Sequence, residues 1–169
     1  GRSRKRQIAL AKKLGIEQYP APAGGCKLTE PGFSNRISGL LKTDLTNNDI
    51  ELLKVGRHFS LKDNLRLVVG RNEKENKKIL SLLQPADYLF SSKKFRGPVS
   101  LLRLYFDADC DFLDKEIILD LASRITARYC DKDFPDDIVD INIWNPVDKI
   151  NITKLVRSLS EQEVGKYLI

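Results

Sequence analysis

Cys26 is the residue whose surroundings most favour covalent chemistry. It follows two glycines and precedes Lys27, so a turn would present the thiol beside a cation. A neighbouring cation lowers the pKa of a thiol and favours the nucleophilic thiolate. A lone cysteine is as often a small buried residue, and that alternative stays open. Cys110 and Cys130 lie at the ends of a predicted strand and a predicted helix, where we expect them to pack rather than to bind a metal.

A second set of residues combines cations with aromatic rings. Lysine and arginine neutralise phosphates, and aromatic rings stack on unpaired bases, which together suit RNA or single strands better than a DNA major groove. The first-turn amides of a helix predicted from Glu73 would add a phosphate contact. Tyr88 and the neighbouring Phe90 have an alternative role in the core, because alternate residues of a strand usually belong there. The candidate RNA-binding residues are Arg57, Arg71, Asn72, Lys93, Lys94 and Arg96, with Tyr88 and Phe95 between them.

Motifs for metal or nucleotide chemistry are missing from the sequence. The run Asp107–Asp111 begins like a calcium loop, but Phe112 stands where glycine is required and Ile118 where glutamate is required. Helix capping by Asp111 or Asp114 explains part of the run. The chain has no Gly-rich phosphate loop, no paired CxxC and no HExxH motif, and it has one histidine. We therefore predict no metal site and no cofactor bound by this chain.

Charge is distributed unevenly along the 169 residues. Residues 1–106 contain 21 Lys and Arg against 9 Asp and Glu, a net charge of +12, whereas residues 107–169 contain 8 against 14, a net charge of −6. A basic half attracts polyanions such as nucleic acid, and a solvated basic surface without a partner is the alternative. The apolar runs are too short for a membrane span, and three cysteines fit a reducing compartment. We expect a cytoplasmic protein with no membrane partner.

The apolar pattern predicts helices before residue 57 and a mixture of strands and helices after it. Helices are expected over residues 2–14, over 31–41, and from a cap at Thr46 or Asn47 to Gly56. Further helices are expected over 73–83, 114–129 and 151–167, and strands over 58–61, 65–69, 88–90, 99–106 and 138–144. This order predicts an α+β fold, in which an N-terminal helical linker (residues 1–56) precedes a small mixed or antiparallel sheet packed with helices (residues 57–169).

The segment from residue 57 to about 145 resembles the NFACT-R domain. That domain is an RNA-binding module of ribosome-associated quality-control factors and is also appended to some tRNA-thiolating enzymes. The family's usual Trp-Phe-His segment is Tyr88-Leu89-Phe90 here, so any role of that histidine is missing. The resemblance implies RNA binding, and it rests on Val68–Asn76, Ala86–Phe90, Lys93-Lys94, Gly97-Pro98 and Ala122–Cys130.

Residues 1–42 are similar to the segment that follows the ATP-binding domain in PP-loop tRNA 2-thiouridylases. The similarity implies that Cys26 is one of two catalytic thiols that relay sulfur as a persulfide. It also implies ATP as a cofactor of the full-length enzyme, and tRNA and a sulfur-donor protein as partners. The ATP-binding domain is not in this chain, which suggests a fragment of a longer enzyme. The similarity rests on Gly1–Arg4, Gln7, Leu10-Ala11, Leu14–Ile16, Gly25-Cys26, Phe33 and Leu40-Leu41.

Together these features predict the C-terminal portion of a tRNA-thiolating enzyme, which positions tRNA for sulfur transfer to uridine and is inactive alone. Its cations would bind the tRNA backbone, and Asn72 would either contact RNA or fix a turn. One alternative is a non-catalytic RNA-binding adaptor related to ribosome quality-control factors. Another is a module whose acidic second half binds a basic protein.

Overall fold

A six-stranded sheet forms the centre of the computed structural model, which describes residues 9–10, 12–15, 30–41, 44–62, 64–105, 112–134 and 137–169. Its strands are β1 (Arg57–Lys62), β2 (Leu65–Val69), β3 (Tyr88–Ser91), β4 (Ser100–Leu104), β5 (Ile138–Asn145) and β6 (Ile150–Arg157). Their spatial order is β1-β2-β4-β3-β5-β6, and each neighbouring pair is antiparallel. The predicted α+β fold is confirmed.

Apart from the helical residues 9–10 and 12–13, five helices accompany the sheet in the described residues: α1 (Pro31–Ser38), α2 (Asn47–Leu53), α3 (Glu73–Ser81), α4 (Phe112–Arg128) and α5 (Glu161–Gly165). The long α4 packs on one face, where Phe59, Phe90 and Ile125 are fully buried in the main core. Helices α2 and α3 cover part of the opposite face, where Val68 and Leu101 are fully buried. Because alternate strand residues point to opposite faces, the sheet separates two hydrophobic layers.

Local sequence signals place the entry to the sheet. Thr46 and Asp49 form a capping box at the start of α2: the Thr46 hydroxyl accepts from the Asp49 amide, and the Asp49 carboxylate accepts from the Thr46 amide at 2.9 Å. Gly56 has φ +75°, a left-handed conformation that glycine adopts at little steric cost. The capping box therefore begins α2, and Gly56 turns the chain into β1, as the sequence predicts.

The helix predicted over residues 151–167 is wrong. Residues 150–157 form β6, which pairs with β5 along its whole length, and only Glu161–Gly165 are helical near this end of the chain. The turn between β5 and β6 is fixed by Asn145, whose Oδ1 accepts from the Asp148 amide at 2.6 Å, and by Lys149 with φ +53°. Pairing with β5 overrides the helical spacing of the apolar residues.

Part of the predicted N-terminal region lies outside the described residues. It includes Cys26 and most of the helix predicted over residues 2–14, of which residues 9–10 and 12–13 are helical. The Asp107–Asp111 run also lies outside them. Helix α2 packs against the sheet through the fully buried Leu52, and the domain boundary at residue 56 stays a prediction. No helix in the described ranges is long and apolar enough to cross a membrane.

Candidate nucleic-acid interface

One end of the sheet collects the predicted RNA-binding residues. Because all strand pairs are antiparallel, this end contains the starts of β1, β4 and β5 and the ends of β2 and β3. Arg57 begins β1, Arg71 and Asn72 follow β2, and the loop of residues 92–99, which contains the other three, joins β3 to β4. The register of the sheet therefore brings together residues that are far apart in the sequence.

An open cleft of about 490 Å³ lies at this end of the sheet. Four of the six predicted residues line it: Arg57, Arg71, Asn72 and Arg96. Lys93 and Lys94 are exposed on the adjoining loop and do not line it. The lining also contains the carboxylates of Glu73 and Asp131, so the cleft offers hydrogen-bond acceptors as well as cations.

Ser92 fixes the loop that contains the lysines. Its Oγ donates to Asp140 Oδ1 at 2.8 Å and accepts from the backbone amides of Lys94 and Phe95 at 3.2 and 2.9 Å. This bonding leaves the Lys93 and Lys94 side chains exposed. Neither ammonium group forms an ion pair with any residue that the structure describes. Both charges are therefore free to attract phosphate.

Asn76 joins α3 to the same loop. Its Oδ1 accepts from the Val99 amide at 3.0 Å, and its Nδ2 donates to the Gly97 carbonyl at 3.4 Å. This contact requires glycine at position 70, where a Cβ would lie 2.1 Å from Asn76 Oδ1. Gly97 lies against Cys130, and a Cβ there would lie 2.7 Å from Sγ. Close backbone approaches therefore fix two walls of the cleft.

Asn72 caps α3 beside the cleft. Its Oδ1 accepts from the Glu75 amide at 3.0 Å, and the Glu75 carboxylate accepts from the Arg71 amide at 2.9 Å and pairs with the Arg71 guanidinium at 3.5 Å. The predicted phosphate site on the first-turn amides is therefore weakened, because one amide is occupied and Glu73 and Glu75 add negative charge. Contact between Asn72 and RNA stays a prediction.

Tyr129 is the aromatic residue that the sequence analysis missed. The Cζ atom of Arg57 lies 4.6 Å from the centroid of its ring, a cation–π contact in the lining of the cleft. Burial raises the pKa of the Tyr129 hydroxyl. Helical spacing over residues 114–129 predicts Tyr129 as a core residue, and the signal that distinguishes it is its position at the end of that predicted helix.

The aromatic residues in and just after β3 lie in or against the core. Phe90 is fully buried, and Tyr88 and Phe95 are half-buried against the main core. Tyr88 begins β3 at the end far from the cleft, where the Lys115 ammonium lies 5.4 Å from the centroid of its ring. Tyr88 and Phe90 therefore fit the alternative prediction, in which they belong to the core.

Cys130 and His58 are both buried. Cys130 is packed in the main core, as the sequence predicts, and burial raises the pKa of its thiol to about 11. His58 has no exposed surface, and its Nε2 donates to the Val55 carbonyl at 2.8 Å. Burial, with a further contribution from the nearby positive charge of Arg36, lowers the pKa of His58 to about 3. In the described ranges no three His, Cys, Asp or Glu side chains lie close enough to share a metal ion.

Three arginines gathered in one open cleft form the kind of basic patch that is typical of a nucleic-acid-binding domain. The family model described as NFACT protein RNA binding domain matches residues 56–168. The chain therefore belongs to this family of RNA-binding domains. The match confirms the NFACT-R resemblance and extends it through β6 and α5. It gives no support to a PP-loop thiouridylase as the parent protein.

Comparison with other proteins adds information on the fold. No curated protein matches the chain. Six chains of solved structures match it. One is the C-terminal part of the fibronectin/fibrinogen-binding protein from Streptococcus suis, with 11% identity and a TM-score of 0.52 over 82% of this chain and 67% of that chain. At this identity the similarity shows a shared fold and nothing about a shared ligand.

Proposed function

We propose that the domain binds RNA through the end of the sheet that contains the cleft. The observation that carries the proposal is the convergence of Arg57, Arg71 and Arg96 in one cleft, beside a loop with Lys93 and Lys94 exposed. Cations at this density neutralise neighbouring phosphates of a nucleic-acid backbone and release its counterions. Membership of an RNA-binding family supports RNA as the polyanion.

The cations of this interface differ in how far they are already neutralised. Arg71 pairs with Glu75, so its attraction to phosphate is partly offset. Arg96, Lys93 and Lys94 form no ion pair with any described residue, and each of them adds a full positive charge. We therefore assign most of the electrostatic attraction to the loop of residues 92–99.

Binding of the chain to tRNA, single-stranded RNA and duplex DNA over a salt series tests this proposal. Lys93→Ala and Arg96→Ala should each reduce the slope of log affinity against log salt by about one, because each removes one phosphate contact. Lys149→Ala is the matched control, because Lys149 is exposed and forms no ion pair with a described residue. It lies in the turn between β5 and β6, at the opposite end of the sheet from the cleft, and its replacement should leave the slope unchanged.

The outcomes of that experiment are distinct. Binding to RNA that survives moderate salt and weakens in the loop variants alone would support the proposal. Weak binding that is equal for the three nucleic acids and is lost in salt would contradict the proposal. It would mean that the basic residues attract any polyanion without preference for RNA. Equal slopes for Lys149→Ala and the loop variants would mean that the loop of residues 92–99 is not the site of contact.

The identity of the RNA and the role of the whole protein are finer proposals. We infer tRNA as the RNA and a non-catalytic adaptor as the role, which the domain family fits at least as well as a thiolating enzyme. The thiolating enzyme remains the second candidate, and the observation that favours it is Cys26 between a Gly-Gly pair and Lys27. The protein-binding module is the outcome favoured if RNA binding is absent.

Alkylation kinetics distinguish the two candidates. A thiol activated for sulfur transfer should react with iodoacetamide with a pH midpoint below the ordinary cysteine value of about 8.5. We expect this behaviour of Cys26 in the thiolating enzyme, whereas Cys130 should react slowly because it is buried. Mass spectrometry of peptides from the folded and the urea-unfolded chain measures the rates. Equal alkylation rates for Cys26 in the folded and the unfolded chain would contradict the thiolating enzyme and favour the adaptor.

A further inference from the structure

The guanidinium of Arg57 lies over the ring of Tyr129 in the lining of the cleft. Its Cζ atom lies 4.6 Å from the Tyr129 ring centroid, and no described carboxylate pairs with it. The Tyr129 ring occupies one side of the guanidinium, and the side away from the ring is the one left for a ligand. A guanidinium plane stacks on aromatic systems, which an ammonium group cannot do. Arg57 therefore offers a stacking surface for a planar, electron-rich ring.

The remaining groups of the cleft match the rest of a nucleotide. Its volume of about 490 Å³ lies within the range of roughly 300–1,000 Å³ typical of small-molecule sites. Arg96 and Arg71 supply phosphate donors, and the Asn72 amide, whose oxygen caps α3, keeps its Nδ2 as a donor for a base edge. The carboxylates of Glu73 and Asp131 repel phosphate but accept from ribose hydroxyls and base amines.

We propose that the cleft binds one unpaired nucleotide of an RNA, with its base stacked on Arg57 and its phosphate paired with Arg96. This inference rests on the proposed RNA binding and specifies which RNA is bound. In a duplex both faces of a base are covered by its neighbours, so only an unpaired base in a loop, a bulge or an end presents a free face. A free nucleotide has the same chemistry, but it would not reach the exposed Lys93 and Lys94 outside the cleft.

Arg57→Lys tests the stacking without changing the charge. The ligands are an RNA hairpin with an unpaired loop, a blunt RNA duplex with the same number of phosphates, and adenosine monophosphate. The variant should lose at least about fivefold in affinity for the hairpin, as expected for one stacked base, with an unchanged salt slope and unchanged affinity for the duplex. Arg128→Lys, the same change outside the cleft lining, is the matched control and should bind like the wild type.

A fluorescent base gives a second measurement that does not depend on affinity. With 2-aminopurine in the hairpin loop, binding of the wild type should change the fluorescence through stacking, and Arg57→Lys at saturation should not. Urea unfolding of both variants establishes that they are folded. The fluorescence is compared when all of the hairpin is bound by each protein, so a weaker affinity of the variant does not affect the comparison.

Each outcome supports or overturns a specific statement. Equal losses on the hairpin and the duplex, or a fluorescence change that persists in Arg57→Lys, would overturn the stacking while RNA binding and its salt slopes stand. Adenosine monophosphate that binds as tightly as the hairpin would overturn RNA as the ligand of the cleft. No binding of the wild type to either RNA would instead overturn the proposed function.

Discussion

Replacing Arg103 by methionine should lower the free energy of unfolding by about 3–5 kcal/mol. Arg103 lies on β4 with 2% of its surface exposed. Its Nε and Nη2 donate to the Asp87 carboxylate at 2.9 and 2.6 Å, and its Nη1 donates to Asp49 and Asn48 at 2.9 and 2.8 Å. A further bond joins Nη2 to the Leu82 carbonyl at 2.8 Å. All five donors of the guanidinium have acceptors.

This network attaches three separate parts of the chain to β4. Asp49 belongs to α2, Leu82 follows α3, and Asp87 precedes β3. Without Arg103, two buried carboxylates lose the cation that compensates them, and an uncompensated buried charge is costly. The expected loss therefore exceeds that of an ordinary hydrogen bond.

The same loss should depend on pH. Burial acts to raise the pKa of Asp49, but hydrogen bonds from Thr46 and Arg103 outweigh it and hold that pKa below its ordinary value. A lowered folded-state pKa contributes stability above the unfolded pKa of about 4, and this contribution is lost as the pH falls through the folded value. The difference between wild type and Arg103→Met should therefore be largest near neutral pH and narrow below about pH 4.

Urea unfolding followed by circular dichroism measures the effect of Arg103→Met. Arg96→Met is the matched control, because Arg96 is exposed and forms no ion pair with a described residue. It should change stability by less than about 0.5 kcal/mol. A loss below about 1 kcal/mol for Arg103→Met would mean that desolvation of the three charges offsets their pairing.

Elements with strong local signals could be predicted from the sequence. The α4 helix has apolar residues at helical spacing, and the hairpin of β1 and β2 has two β-rich runs around a polar turn. Residues 150–157 have both helical spacing and β-branched side chains, and the outcome depends on β5 as a pairing partner. Local pattern cannot supply that long-range information.

The candidate site could be predicted in composition but not in arrangement. The cations were recognisable by type, yet their convergence depends on the strand order β2-β4-β3-β5, which the sequence does not state. Tyr129 and Arg103 show the same limit. A tyrosine and an arginine at alternating or helical positions look like ordinary surface or core residues until the partners Arg57 and Asp87 are placed beside them.

Lowering the pH from 7 to 5 should reduce the free energy of unfolding by about 2 kcal/mol through the titration of His58 alone. Its pKa is lowered to about 3 by burial and then by Arg36, while the Val55 carbonyl opposes the shift and Arg71 and Arg66 add to it. The unfolded chain takes up a proton near pH 6.5 and the folded chain does not. The contribution of His58 to stability is therefore fully present above about pH 6.5 and is lost as the pH falls below that value. Any folded pKa below about 4 gives the same loss by pH 5.

His58 is the only histidine in the sequence, so the interval between pH 5 and 7 isolates its titration from that of the carboxylates. The free energies of urea unfolding at pH 5 and 7 should differ by about 2 kcal/mol in the wild type and by much less in His58→Gln. Glutamine retains an N–H donor for the Val55 carbonyl and cannot be protonated in this range. A wild type and a variant with the same pH dependence would contradict the prediction, because the fold would then accommodate a charged imidazole between α2 and the start of β1.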